Sequence, residues 1–466
     1  MNEHPVTLTG LDALRGYFRF LVDPVVAMRE AYAAYGPFVI VAAPLRIGPL
    51  RRSVVLAAGA RFNREVLGDP AMWRTIHIMA IDRKDTAARR VGFGIISMTG
   101  PRHAHYRRLM VAPLRRPNVD ALGERMALLA EQAIERWPVG QPFDLWSHVR
   151  GLMQSLAIAL LFGDDREHGL AVAHLVNQRL QFKWTPGALA CPFNVPFTPY
   201  GMMRRQSEEL EGRIVAWAGR KRGHLDGRDL MSIIVNNPDE SGNAPSEALL
   251  AGHVPTMFAA AYDTCQTALA WTLILLAQHP AVARDLADEL QARLAGAPAT
   301  LDRVGGLPLL DGVIKESMRL LPPAALQVRI AQAPTQLGGV AVPTGTRAVL
   351  SAIVTNRLPH LYPDPDRFKP GRWQTIDPSP YEYSVFSGGP RSCPGFWFGL
   401  GVLKVVLATI MSRHRVALQP NTRIDYQIRV TMAPSGAVPA HLLPLDHAFA
   451  GVPLRGAINK MIRFPA

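Results

Sequence analysis

The sequence predicts an α+β chain, mainly α-helical, with small β-sheets around a helical body. Three observations carry that expectation. Residues 103 to 320 repeat apolar positions at helical spacing. Short, β-branched, turn-rich runs gather at about 37–57 and 326–355, and no strand–helix–strand repeat connects them. With no internal repeat and no low-complexity linker, residues 1–466 are expected to form one domain, its helical body over about 58–320.

Taken in order, a short helix precedes "FVIVAA" and "RSVVLAA", which read as strands bounded by Gly and Pro. Helices follow in "VDALGERMALLAEQAIERW", in residues 145–162, in "MMRRQSEELEGRIVAWAGRKR" and from Ser246 to Leu276. "QHPAVARDLADELQARLAG" carries Pro280 near its start and Gly296 at its end, a helix start and a helix stop. "QVRIAQAPTQLGGVAVPTGTRAVLSAIV" then reads as short strands. "FSGGPRSCPG", residues 386–395, is a Gly- and Pro-rich turn before the apolar helix "FWFGLGVLKVVLATIMSRH".

Composition narrows the chemistry. At 466 residues with 48% apolar and 19% charged residues, the chain can bury a large core. Cys191, Cys265 and Cys393 are far apart and odd in number, which excludes a disulfide framework and a structural zinc site and fits a reducing, cytoplasmic setting. Asp12, Arg15, Arg19 and Asp23 interrupt the N-terminal stretch, so neither a leader nor a membrane span of about 20 apolar residues is expected; runs such as "ALAWTLILLA" are too short. The net charge of +14 raises nucleic acid, an anionic membrane surface and an acidic protein as partners. Its basic residues are scattered in small groups with no recognition motif, which argues against nucleic acid.

Four stretches hold candidate chemistry. Cys393 precedes a helix N-terminus, where the dipole and free N–H groups favour a thiolate that could act as nucleophile, redox thiol or metal ligand; an incidental buried cysteine is the plain alternative. In "KESMR", Glu316 and Arg319 share a helix face at i, i+3, a spacing more often found in solvated surface pairs, and "LLPPAALQVR" then turns Arg329 toward the interior. In "FAAAYDTCQTALAW", Asp263 and Thr264 are a polar pair in an apolar helix. They suit a proton relay, or else a back-bonding Thr beside a solvent-facing Asp. In "GPRHAHYRRLMVAPL", His103 and Arg107 lie one turn apart as two cationic donors for an anion, or as part of a solvated basic face.

In this order the stretches resemble the cytochrome P450 family of haem-thiolate monooxygenases. Residues 386–395 match the family's cysteine-loop signature through Phe386, Gly389, Arg391, Cys393 and Gly395. "KESMR" matches its Glu-x-x-Arg element, and "DPDRFKPGRW" resembles the segment whose Arg372 joins Glu316 and Arg319 in a structural network. The likeness spans about residues 30–440. It implies a haem b held by Cys393 as axial thiolate, with His103, Arg107, Arg329 and Arg391 on the propionates and Phe386 and Gly395 by the sulfur. It also implies O2 as co-substrate, with Asp263 and Thr264 handling protons.

Electrons would come from NAD(P)H through a separate ferredoxin or flavodoxin and its reductase, docking near Arg108, Arg372, Arg391 and Lys404; the chain is expected to be a monomer. By the same likeness, a lipophilic substrate for hydroxylation or epoxidation would be lined by about residues 73–98 and 178–205. Ala261 and Cys265 depart from the family's usual Gly and Thr or Ser. A peroxide-driven peroxygenase and a non-catalytic haem or basic binding protein are the alternatives.

Overall fold

The computed structural model describes residues 5–43, 52–76, 86–183, 194–223, 230–239 and 241–465. Its longer helices are α1 (Gly10–Val22), α2 (Pro24–Tyr35), α3 (Gly100–Val111), α4 (Gly123–Ile134), α5 (Leu145–Phe162) and α6 (Arg166–Lys183). They continue with α7 (Pro199–Lys221), α8 (Glu247–Ala277), α9 (Pro280–Leu294), α10 (Pro308–Leu320) and α11 (Phe396–Met411). The helices expected at 145–162 and 246–276 are there almost to the residue, because each begins at a side-chain cap. Asp144 accepts from Trp146 N–H, and Ser246 from Leu249 N–H.

The strands from the two ends of the chain meet in one sheet. β1 (Val6–Leu8), β2 (Phe38–Val41), β3 (Val54–Ala57) and β4 (Trp73–Thr75) come from the first part. The strand β5 (Pro142–Asp144), inside the helical body, was not expected from the sequence. β6 (Leu326–Ala331), β7 (Thr335–Leu337), β8 (Val340–Val342) and β9 (Arg347–Ser351) follow, and β6 and β9 enter the six-stranded order β1-β2-β3-β9-β6-β4. β3 and β9 run parallel, so sequence-distant segments are joined without a βαβ unit. Near the C-terminus, β10 (His414–Leu418) and β13 (Pro439–Pro444) pair in the order β10-β13-β5, while β11 (Asp425–Ile428) and β12 (Met432–Ser435) form a separate hairpin.

Helix α8 is the axis of the main core. From Cys265 to Ala277 every side chain is buried, and α5, α7, α10 and α11 pack around it. Apolar on nearly all sides, it can be stable only inside the protein. Helix α5 is long and apolar enough to cross a membrane, against the expectation that no run was; 61% of it is buried among these same helices. The scaffold fixes two features around one cavity, the middle of α8 and the loop before α11.

Candidate active site

The loop before α11 is held by its backbone. Ser387 and Gly389 adopt φ of 59° and 66°. At Gly389 a Cβ would come within 2.4 Å of the Leu67 carbonyl oxygen, so glycine is needed for both conformation and space. Cys393 N–H donates to the Phe386 carbonyl at 2.8 Å, folding the loop back on itself. The Phe386 ring meets Phe396 edge-on at 4.8 Å. Cys393 is thereby presented, accessible, to a cavity of about 390 Å³.

Opposing influences meet at the Cys393 thiol in the chain by itself. Desolvation raises the Cys393 thiol above its ordinary value, and the opposing Gly395 N–H and Arg107 do not make up the difference.

The cavity has a cationic rim. His103 and Arg107 reach it from α3, Arg329 from β6 and Arg391 from the loop, and among the described residues no carboxylate lines it. Arg107 donates to Ser392 Oγ at 3.1 Å, Arg329 to the Val328 carbonyl at 3.1 Å, and Arg391 to the Met98 carbonyl. The Arg391 Nε is buried without a partner. Burial holds all three guanidiniums below their ordinary values, and Arg391 adds to the effect on Arg329, pushed down to about 10. One sequence expectation changes here: His103 is not a cation. Burial, then Arg391 and Arg107, lower its pKa to about 4, so it is a neutral hydrogen-bonding group near pH 7.

Helix α8 separates the two members of its polar pair. Thr264 lines the cavity with Ala260, Ala261 and Cys265, and its hydroxyl donates to the Ala260 carbonyl at 2.9 Å. Asp263 turns away from the cavity, half-buried, and bonds to neighbours other than Thr264. Its carboxylate accepts from Gln266 Nε2 at 2.7 Å and from Thr431 Oγ1 at 3.0 Å. Burial still raises its pKa, against those two bonds and Arg150. Cys265 is buried, its thiol pushed up to about 12.

Behind the loop, Glu316 and Arg319 are fully buried rather than solvated. Glu316 accepts from Arg319 Nε at 2.8 Å and Nη2 at 2.9 Å, and from Arg372 Nε at 3.0 Å. Two further donors to Glu316 escaped the sequence reading, Trp373 Nε1 at 3.1 Å and Lys369 N–H at 3.0 Å. Trp373 stands next to Arg372 in "GRW", and Gln266 lies three residues after Asp263 on one helix, so signals were present for both; Thr431 had none.

The remaining wall is mainly apolar, with Ile95, Ile96, Leu161, Met257 and Pro323, and includes the polar Thr75, Thr256 and Gln327. Of the segments expected to line it, 73–98 contributes Thr75, Ile95 and Ile96, with 77–85 outside the described residues. No described residue of 178–205 lines the cavity, and 184–193, including Cys191, lies outside the described residues. Basic groups expected at a docking face are also partly committed. Arg372 is in the Glu316 network, Lys404 pairs with Asp311 at 2.6 Å, and Arg391 faces the cavity.

A cytochrome P450 family model matches residues 24–438. The chain belongs to the cytochrome P450 family. It is 28% identical over 396 residues to cyclooctat-9-en-7-ol 5-monooxygenase of Streptomyces melanosporofaciens, covering 82% of this chain and 83% of that protein. It is 25% identical over 392 residues to pentalenene oxygenase of Streptomyces avermitilis, covering 82% of this chain and 85% of that protein.

Two solved structures share the fold. Retinoic acid bound cyanobacterial CYP120A1 aligns with a TM-score of 0.76 at 20% identity, over 90% of this chain and 94% of that one. A cytochrome P450DA heme domain aligns at 0.78 with 19% identity, over 97% of this chain and 99% of that one. The family is one of haem-dependent monooxygenases that use O2, and the chain is an enzyme of that class. The residues present fit a haem, with a thiol at one wall and, at the rim, three guanidiniums, one bearing an unpartnered buried N–H and none faced by a carboxylate among the described residues.

Proposed function

We propose that the protein is a haem-thiolate monooxygenase acting on a terpenoid-type lipophile, served by a separate electron-transfer protein, the chain working as one haem domain. The observation that carries it is the pairing of Cys393 with an arginine rim, free of carboxylates among the described residues, across one mainly apolar cavity. The bound haem supplies the reduction of O2 and the insertion of one oxygen atom into the substrate, the other leaving as water.

The chain's residues divide the remaining work. Cys393 would ligate the iron, with the Gly395 N–H directed at its sulfur and the Phe386 ring beside it. Arg107, Arg329 and Arg391 would pair with the propionates, which supply negative charge that no described residue of the rim provides, and His103 would donate as a neutral imidazole. Thr264 presents its oxygen to the cavity, and the Asp263 carboxyl, whose pKa burial raises, would take up and give back a proton one residue away. Glu316, Arg319 and Arg372 keep the segments behind the loop in place.

The substrate class rests on the oxygenase relatives and on the aliphatic wall of Ile95, Ile96, Met257 and Ala260. Electrons would arrive at the face bearing Arg108, Arg115 and Arg116, where Arg116 lies 5.3 Å over the exposed Trp397 ring on the first turn of α11. The test supplies a reduced acidic ferredoxin or hydrogen peroxide, with a panel of cyclic terpenoids. The expected result is a substrate-induced spin shift and product with ferredoxin. Peroxide-supported turnover that survives Thr264→Ala, with none from ferredoxin, would replace this reading with a peroxygenase.

A further inference from the structure

We propose that the β11–β12 turn, through the Thr431 hydroxyl, positions the Asp263 carboxyl and couples it to the cavity wall at Pro323. The proposal rests on the proton-handling role given above to Asp263 and adds to it the device that holds and releases that group.

Asp263, Thr267 and Trp271 are spaced four apart and form one stripe along α8. All three bond to the same hairpin. Thr431 Oγ1 donates to the Asp263 carboxylate at 3.0 Å, the Thr267 and Thr431 hydroxyls are 3.2 Å apart, and Trp271 Nε1 donates to the Met432 carbonyl at 2.8 Å. On its other side the hairpin is tied to the cavity, since Met432 N–H donates to the carbonyl of the cavity-lining Pro323 at 2.9 Å. A single two-stranded element therefore touches both the acid and the wall against which substrate would rest.

The chemistry of the donors gives this arrangement its use. Both side chains bonded to the carboxylate, Gln266 and Thr431, are neutral, and both are buried. The charged and titratable groups facing it among the described residues are Arg150 from α5 and Tyr262 from its own helix. A carboxylate gripped by a cation would keep its charge and its place; one held by a hydroxyl and an amide can take up a proton and turn. To exchange a proton with the Thr264 side of α8, the carboxyl must leave Thr431. Substrate pressing on Pro323 would shift the hairpin that controls this release.

The holoenzyme tests the proposal by infrared titration of the carboxyl, the band being assigned by its loss in Asp263→Asn. Removing a donor to the carboxylate disfavours the charged form. Thr431→Val should therefore move the titration midpoint upward by about one pH unit, the equivalent of one hydrogen bond to a charged group. The pH profile of product formed per electron consumed should move in the same direction. Thr431→Ser, which keeps the hydroxyl, should restore both, and Thr431→Ala removes it with less bulk should valine disturb the hairpin. An unchanged midpoint and profile in Thr431→Val and Thr431→Ala overturns the proposal while Asp263→Asn still uncouples turnover. If Asp263→Asn leaves product per electron unchanged, the proton-handling role falls first, and the proposal with it.

Discussion

Glu316 shows how a residue can matter to a haem enzyme without meeting its cavity. Its carboxylate is fully buried and accepts from Arg319, Arg372, Trp373 and the Lys369 N–H. Arg319 in turn donates to the carbonyls of Asn356, Pro365 and Arg367, so one charge pair ties its helix to two other chain segments. A pair this deep adds little net stability over an apolar replacement of both partners. Breaking it leaves two guanidiniums uncompensated. Glu316→Gln should therefore destabilise the fold by about 3–5 kcal/mol in denaturant unfolding. A variant with the same midpoint as the parent would show that the network is not structural. The i, i+3 spacing made the Glu316–Arg319 face visible but by itself pointed to a solvated pair, because spacing carries no information on depth; the resemblance to the family, through "DPDRFKPGRW", is what implied a buried network with Arg372.

Elements were legible where the local pattern and the local physics agree. Helices α5 and α8 could be bounded because apolar periodicity ran up to the capping residues Asp144 and Ser246. The loop at 386–395 was legible because Gly389 is required by its own φ and by the Leu67 carbonyl against it. What the sequence hid depends on contacts between distant segments. Strand β5 exists only because β13 pairs with it some 300 residues later, and it carries no alternation long enough to notice. Thr431 meets Asp263 across 168 residues of chain, so no spacing could announce it. The surroundings of the Cys393 thiol and the charge of His103 were hidden for a related reason. A helix terminus and a neighbouring arginine can be read from sequence, but the burial that outweighs them cannot.

At the scale of the whole molecule, burial of histidines makes the fold sensitive to acid. His103 and His168 are lowered to about 4 and His253 to about 3, each chiefly by desolvation. The unfolded chain takes up these protons near pH 6.5, and the folded chain does so only at the lower values. Their stabilisation is therefore complete above about pH 6.5 and is lost as pH falls toward 4. Asp263, with its pKa raised, works in the opposite sense, since the folded chain binds its proton first. His253, fully buried with both ring nitrogens unpartnered, alone should account for about 2 kcal/mol lost between pH 7 and 5. Thermal unfolding at the two pH values should show that loss in the parent and a smaller one in His253→Leu; equal losses would contradict it. The central claim, that the loop, the rim and α8 enclose a haem whose iron is held by the Cys393 thiolate, is tested most directly by the absorption spectrum of the reduced, carbon-monoxide-bound protein. The account predicts the strong red shift of the Soret band that thiolate ligation produces, lost in Cys393→Ser. A Soret band without that shift, or one unchanged by the substitution, would contradict it.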